Sequence, residues 1–263
     1  MAARGRGRGL LIAGIAVVAL VGVFFVADAI LRGYAQDRAE AEIADRLPAN
    51  VTGDVAVAIG GFSVIGQYLT GSFEQVDLTA PELSIDGAVA AVQIRATGVP
   101  VDTHQPIGHV AGTIDLDQAA LNTLMRASGQ GPNGGASGGP IDVGATELQL
   151  GDAEVTYAGS VSVFGFEVGY EATATPSTTA EALVLTPTGA RVSGGGGSLD
   201  ASGLLQLLLG KEPLTICVAQ YLPQGVTLTG ADVTPERARI TLESSTLTLT
   251  EQSLTTLGAC SPA

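Results

Sequence analysis

The spacing of apolar positions changes character several times along the chain. Residues 10–27, LLIAGIAVVALVGVFFVA, carry no charge, and Arg4, Arg6 and Arg8 precede them. At about 1.5 Å per residue this run spans roughly 27 Å, close to a bilayer core of about 30 Å. Over residues 30–47, ILRGYAQDRAEAEIADRL, the apolar positions Ile30, Tyr34, Ala41 and Leu47 recur at near-helical spacing, and Pro48 predicts the stop. From Val51 the period becomes two: Val55, Val57 and Ile59, then Val76 and Leu78, then Val92 and Ile94 alternate with small or polar residues, as in half-buried strands. LDQAALNTLMRA, residues 116–127, predicts a second helix with Leu121, Leu124 and Met125 on one face.

A Gly- and Pro-rich stretch, GQGPNGGASGGP at 129–140, has no apolar face to bury and reads as a loop between two halves. Beyond it the strand pattern returns at Leu148 and Leu150, and at Val155 and Tyr157. Phe164, Phe166, Val168 and Tyr170 then alternate with Gly165, Glu167 and Gly169 to give one apolar face. A short helix is predicted at 204–209. The segments VTLTGADV and ARITLESSTLTLT alternate Thr with aliphatics, a strand pattern extending to Thr250. Strands joined by short turns, with few helices between them, predict an α+β fold. Its long, curved antiparallel sheets wrap against a few helices behind an N-terminal transmembrane helix.

The leader fixes the compartment. Basic residues ahead of the apolar run place the N-terminus in the cytoplasm and residues 32–263 outside it. The length of the run favours an uncleaved anchor within residues 1–31, giving a single-pass protein of the cell membrane. Ala27-Asp28-Ala29 offers the alternative, a cleavage site that releases a periplasmic or secreted domain. Cys217 and Cys260 are the two cysteines, and in an exported domain such a pair is most simply a disulfide. A redox role usually needs closer spacing, such as C-x-x-C.

Charge narrows the partners. Twelve basic and 26 acidic residues give −14, and without residues 1–31 the balance is 9 to 25, or −16. Such a surface does not suit nucleic acid, which needs cations to replace its counterions. It also repels anionic membranes, so apolar contacts must carry any affinity for lipid.

Catalytic and metal signals are weak. GGASGG around Ser137 lacks the strand and helix of a nucleophile elbow. His104 and His109, with Asp102 nearby, sit around Pro106 and Gly108 without the spacing of one helical face, and read as loop histidines. No cofactor is implied, and a hydrolase is the weakest of the functional readings. What remains is apolar: GGFSVIGQYLTG, residues 60–71, concentrates Phe62, Val64, Ile65, Tyr68 and Leu69. It is either a lip or short helix at the mouth of a lipid cavity, or a buried connection whose glycines permit tight turns. On the first reading these residues join Phe164 and Phe166 in a lipid-binding site, with Arg95 or Lys211 for the headgroup. The competing expectation is an exposed apolar surface through which the domain meets a membrane protein partner.

The order of a leader, a helix, a V-x-V-x-I strand, GFSVIGQYLTGSFEQVDLTA, GTIDLDQAALNTLM and YLPQGVTLTGADVTPERARITL resembles the LmeA-like phospholipid-binding proteins of actinobacterial cell envelopes. The resemblance is a diffuse pattern of glycines and aliphatics extending over nearly the whole exported part, and Ser63 stands where that family commonly has proline. It implies a non-enzymatic domain that binds anionic phospholipid, including phosphoinositides. It also implies a link to lipomannan maturation, the lengthening of mannose chains on a phosphatidylinositol anchor.

Overall fold

The computed structural model describes residues 5–47, 50–127, 141–143, 147–163, 166–194, 197–200 and 213–260. From the N-terminus, α1 (Gly5–Arg46) leads into β1 (Val51–Thr52), β2 (Ala56–Ile59) and the short helix α2 (Val64–Thr70). The strands β3 (Ser72–Ile85), β4 (Ala88–Pro100) and β5 (His109–Leu116) follow, then α3 (Gln118–Ala127). A second series comprises β6 (Ile141–Val143), β7 (Glu147–Leu150), β8 (Val155–Val163), β9 (Phe166–Thr178), β10 (Ala182–Gly194), β11 (Gly197–Asp200) and β12 (Leu214–Cys217). Next come β13 (Thr227–Val233), β14 (Ala238–Ser244) and α4 (Glu251–Thr255).

The apolar run and the polar helix predicted after it form one continuous 42-residue helix. Asp28 does not interrupt it, because its carboxylate is satisfied from outside the helix by Ser63 and Ile65. On the surface, Arg46 Nε donates to Glu42 at 2.8 Å, an i,i+4 pair that supports the last turns. Val17 to Val26 stay exposed along the run, with Val18 and Leu20 both at 72%. Among the described residues this helix is long and apolar enough to cross a membrane.

The strands form two antiparallel sheets, one strongly curled into a half-barrel. In the first, the order is β1-β3-β4-β5-β14-β13, with β2 also paired to β3. Its centre is the long β3–β4 hairpin. Asp86 and Gly87 occupy the two-residue turn with φ of 49° and 83°, the left-handed pair that matches strand twist. The ladder shifts register between Ala80 and Leu83, where Pro81 cannot donate a ladder hydrogen bond. The second sheet has the order β11-β10-β9-β8-β6, with β12 on β10 and β7 on β8. The first sheet therefore takes its last two strands from the far end of the chain, and the second sheet is built from the sequence between them.

Helix α3 begins two residues later than the periodicity predicts. Leu116 ends β5, and the Asp117 carboxylate accepts the Ala120 amide at 2.7 Å as the N-cap. The helix packs on Ala88, Ala90 and Leu116 through Ala120, with Leu121 and Leu124 beside them. Asn122 ties it to the second sheet, donating to the Leu148 carbonyl at 3.0 Å and accepting the Leu148 amide at 2.8 Å. The strand expected to reach Thr250 ends at Ser244 instead. Residues 245–250 turn, and the Thr250 hydroxyl caps α4 by accepting from Ser253. The helix expected at 204–209 lies outside the described residues.

The Cys217–Cys260 disulfide is formed, with Cα atoms 5.9 Å apart. It fastens the segment after α4 to β12, at the edge of the second sheet. Buried apolar positions are mostly Ala and Val, and among the described residues no large side chain is fully buried. The buried residues gather into two small clusters, one of Ala88, Ala90, Leu116 and Ala120 and one of Ala96, Val99, Ile107 and Leu247.

Candidate functional site

Cross-strand register builds the site. Leu78 on β3 lies opposite Ile94 on β4, Ile94 opposite Gly112 on β5, and Gly112 opposite Leu242 on β14. Because side chains alternate between sheet faces, this row and its neighbours Val76, Ala96, Val110 and Ile114 present one aliphatic surface. The surface is the floor of a cavity of about 460 Å³, within the range of small-molecule sites. Gly112 is the one residue of this row without a side chain. A Cβ there would meet nothing closer than 3.7 Å.

The opposite wall comes from the end of the chain: Leu222, Pro223 and Val226, then Leu247, Leu249 and Leu254. Backbone hydrogen bonds hold it in place, from Gln224 to the Thr256 carbonyl at 2.8 Å, Gly258 to Leu222 at 2.9 Å and Ile107 to Leu247 at 2.8 Å. Ala96, Val99, Ile107 and Leu247 close one end as a small buried cluster. Among the described residues that line the cavity, Glu243 alone carries a charge. On another side of α4 a hollow of about 530 Å³ is lined by Gln224, Gly225, Thr246, Thr250, Gln252, Ser253 and Thr256, all uncharged.

The outer face of the first sheet is polar. Arg95, flanked by the cavity residues Ile94 and Ala96, ion-pairs with Asp77 at 2.6 Å on that outer face. It does not line the cavity and instead borders a separate hollow of about 480 Å³ with Asp77 and Gln93. Arg239 makes two 2.7 Å hydrogen bonds to Asp115 across the β14–β5 ladder. The Arg239 bonds hold the Asp115 carboxyl below the usual carboxylate range, outweighing partial burial. Asp102 caps its own loop, accepting the His104 amide at 3.1 Å, and His104 Nδ1 lies 3.2 Å from the same oxygen. Among the described residues no group of three or more His, Cys, Asp or Glu forms a metal-binding cluster.

The other residues singled out from sequence lie in three places. Residues 60–71 form a tight turn and α2, packed against α1. Val64 and Gln67 are buried there and Ile65 is half-buried, while Phe62, Tyr68 and Leu69 are 76%, 62% and 79% exposed. None of them lines the cavity. Phe166 starts β9 in the second sheet, and Phe164 and Lys211 lie outside the described residues. The cavity residues were missed because they come from β3, β4, β5, β14 and the C-terminal turn. Only register brings them together, although the alternation of Val76/Leu78 and Val92/Ile94 already marked two of the strands.

The α1–α2 junction is the most elaborate polar arrangement near an apolar surface. The Asp28 carboxylate, on a residue 4% exposed, accepts the Ser63 hydroxyl at 2.7 Å and the Ile65 amide at 2.9 Å. Ser63 Oγ in turn accepts the Gly66 amide at 3.0 Å, capping α2. Arg32 donates to the carbonyls of Ile59 at 3.1 Å and Gly61 at 3.0 Å, and lies 3.5 Å from Asp28. One helical turn earlier the Phe25 ring meets the Phe62 ring edge-on, centroids 5.4 Å apart.

A family model described as LmeA-like phospholipid-binding matches residues 26–243. Comparison with curated proteins and with solved structures returned no match.

Proposed function

Because this chain belongs to the LmeA-like phospholipid-binding family, we propose that the cavity above Gly112 takes the acyl part of a phospholipid. The observation that carries this reading is the continuous aliphatic floor, Leu78–Ile94–Gly112–Leu242, facing an aliphatic wall across about 460 Å³. Filling such a space with hydrocarbon gains roughly 25 cal/mol for each Å² of apolar surface removed from water. The hydroxyls and amides beside α4, at Gln224, Thr246 and Ser253, supply uncharged hydrogen-bond partners for the headgroup. An anionic, inositol-bearing headgroup suits donors of this kind.

The protein works without chemistry of its own. It is anchored by α1 with residues 32–263 on the outer side of the membrane, and it presents or carries phospholipid in support of lipoglycan maturation. The exposed Phe62, Tyr68 and Leu69 favour one second reading, a surface that assists a membrane glycosyltransferase. The two readings separate in one experiment. A phospholipid carrying a polarity-sensitive fluorophore on its acyl chain is titrated into the detergent-solubilised full chain. Saturable enhancement reversed by unlabelled phospholipid supports the cavity reading. A flat titration, together with a glycosyltransferase recovered by crosslinking in membranes, supports the surface reading.

A further inference from the structure

Three consecutive contacts tie α1 to the segment 60–71: Phe25 to Phe62, Asp28 to Ser63 and Ile65, and Arg32 to Gly61. Phe25, Asp28 and Arg32 follow one another at helical spacing, so a single face of α1 holds the whole segment. Phe25 belongs to the uncharged run 10–27, and Asp28 immediately follows its end. The turn before α2 is therefore fixed beside the point where the apolar part of α1 stops.

What the segment shows to the outside is apolar. Phe62, Tyr68 and Leu69 are exposed while Val64 and Gln67 face inward. Residues 60–71 contain no charged side chain, although the rest of the exported part is strongly acidic. An anionic membrane repels most of this domain but not this segment.

We propose that α2 and the turn before it form an interfacial wedge, with Phe62, Tyr68 and Leu69 entering the outer leaflet of the bilayer that α1 spans. The proposal rests on the reading of α1 as an anchor. It makes α1 a strut retained in the mature protein, since cleavage after Ala29 removes both Phe25 and Asp28 from the junction. The wedge also fixes orientation. The β3–β4 hairpin leads away from α2 for 14 residues of β3, roughly 45 Å of strand, so the Asp86-Gly87 turn stands well clear of the membrane.

The chain has no tryptophan, so a single introduced one reports its own surroundings. Full-length Leu69→Trp and Val89→Trp are reconstituted into phosphatidylcholine–phosphatidylglycerol vesicles with and without acyl-brominated lipid. Val89 is 50% exposed at the far end of the hairpin, where replacement disturbs little. The expected result is about a twofold fall in Leu69→Trp emission with brominated lipid, since interfacial side chains reach the acyl boundary, and little change for Val89→Trp. Unquenched Leu69→Trp in protein that stays with the vesicles after an alkaline wash overturns the wedge alone and leaves a protein-facing patch. Loss of the protein from washed vesicles overturns the anchor reading and the wedge with it. The acyl-fluorophore titration above reports the cavity reading independently of either result.

Discussion

The Asp28 carboxylate accepts the Ser63 hydroxyl at 2.7 Å, joining residues 35 positions apart in the chain. A charged group one residue past an uncharged run reads in sequence as the end of a membrane segment. In the fold it is the acceptor that organises the next helix, because the Ser63 oxygen is itself the N-cap of α2. The N-terminal helix α1 and the start of α2 are thereby joined at one point.

Ser63→Ala removes that cap and leaves the buried Asp28 carboxylate one partner short. Loss of a serine N-cap costs about 1 kcal/mol. Hydrogen exchange at residues 64–70 is expected to quicken, with little change in the β3–β4 hairpin. Equal acceleration in both places would mean that the cap serves the whole domain.

Gly112→Leu sets a side chain on the cavity floor, where the backbone has ordinary φ and a Cβ meets no atom closer than 3.7 Å. Phospholipid affinity is expected to fall about tenfold or more, each factor of ten being 1.4 kcal/mol of lost binding. Folding stability is expected to change by no more than about 1–3 kcal/mol. Undiminished lipid binding in a folded Gly112→Leu protein would place the ligand elsewhere.

Reducing the disulfide, or replacing Cys260 by Ser, frees the segment that follows α4. The closed loop spans a sequence separation of 43, and chain entropy sets the upper limit of its contribution at about 4 kcal/mol. Because Leu249 and Leu254 form part of the cavity wall, bound lipid is expected to exchange faster in the reduced protein. Lipid exchange by stopped-flow fluorescence, compared with thermal unfolding of the same sample, separates a loosened wall from global destabilisation.

Acid stability carries the mark of Asp115. Its folded pKa lies below the ordinary carboxylate value because of the two Arg239 hydrogen bonds. The stability it contributes is therefore present above the unfolded pKa, about 3.9, and is lost as pH falls from there through the lowered folded value. Asp115→Asn is expected to lower the unfolding temperature at pH 7 and to flatten its decline in acid. A decline as steep as in the unsubstituted protein would assign the acid limb to other carboxylates.

Much of the architecture was legible where period and burial coincide. Val57, Val76, Leu78, Val92 and Ile94 announced strands because one sheet face is covered and the other is wet. α3 was legible from Leu121 and Leu124, and the disulfide from the two cysteines of the sequence. The cavity was not, because its floor is a matter of register between strands as distant as β3 and β14, and one of its residues is a glycine with no pattern of its own. Arg95 was a plausible headgroup ligand by charge alone, yet its neighbours Ile94 and Ala96 face the cavity and so turn Arg95 to the other side. The Thr–Leu alternation at 246–250 imitates a strand, but the Thr250 hydroxyl engages the Ser253 amide and starts α4.

The most direct test of the account is native mass spectrometry of the full chain, released from nanodiscs after incubation with phosphatidylinositol and phosphatidylglycerol, beside Gly112→Leu treated identically. The account predicts one added phospholipid mass on the unsubstituted protein and its loss in the folded Gly112→Leu variant. A protein that stays free of lipid under these conditions, or a variant that keeps its lipid undiminished, would contradict it.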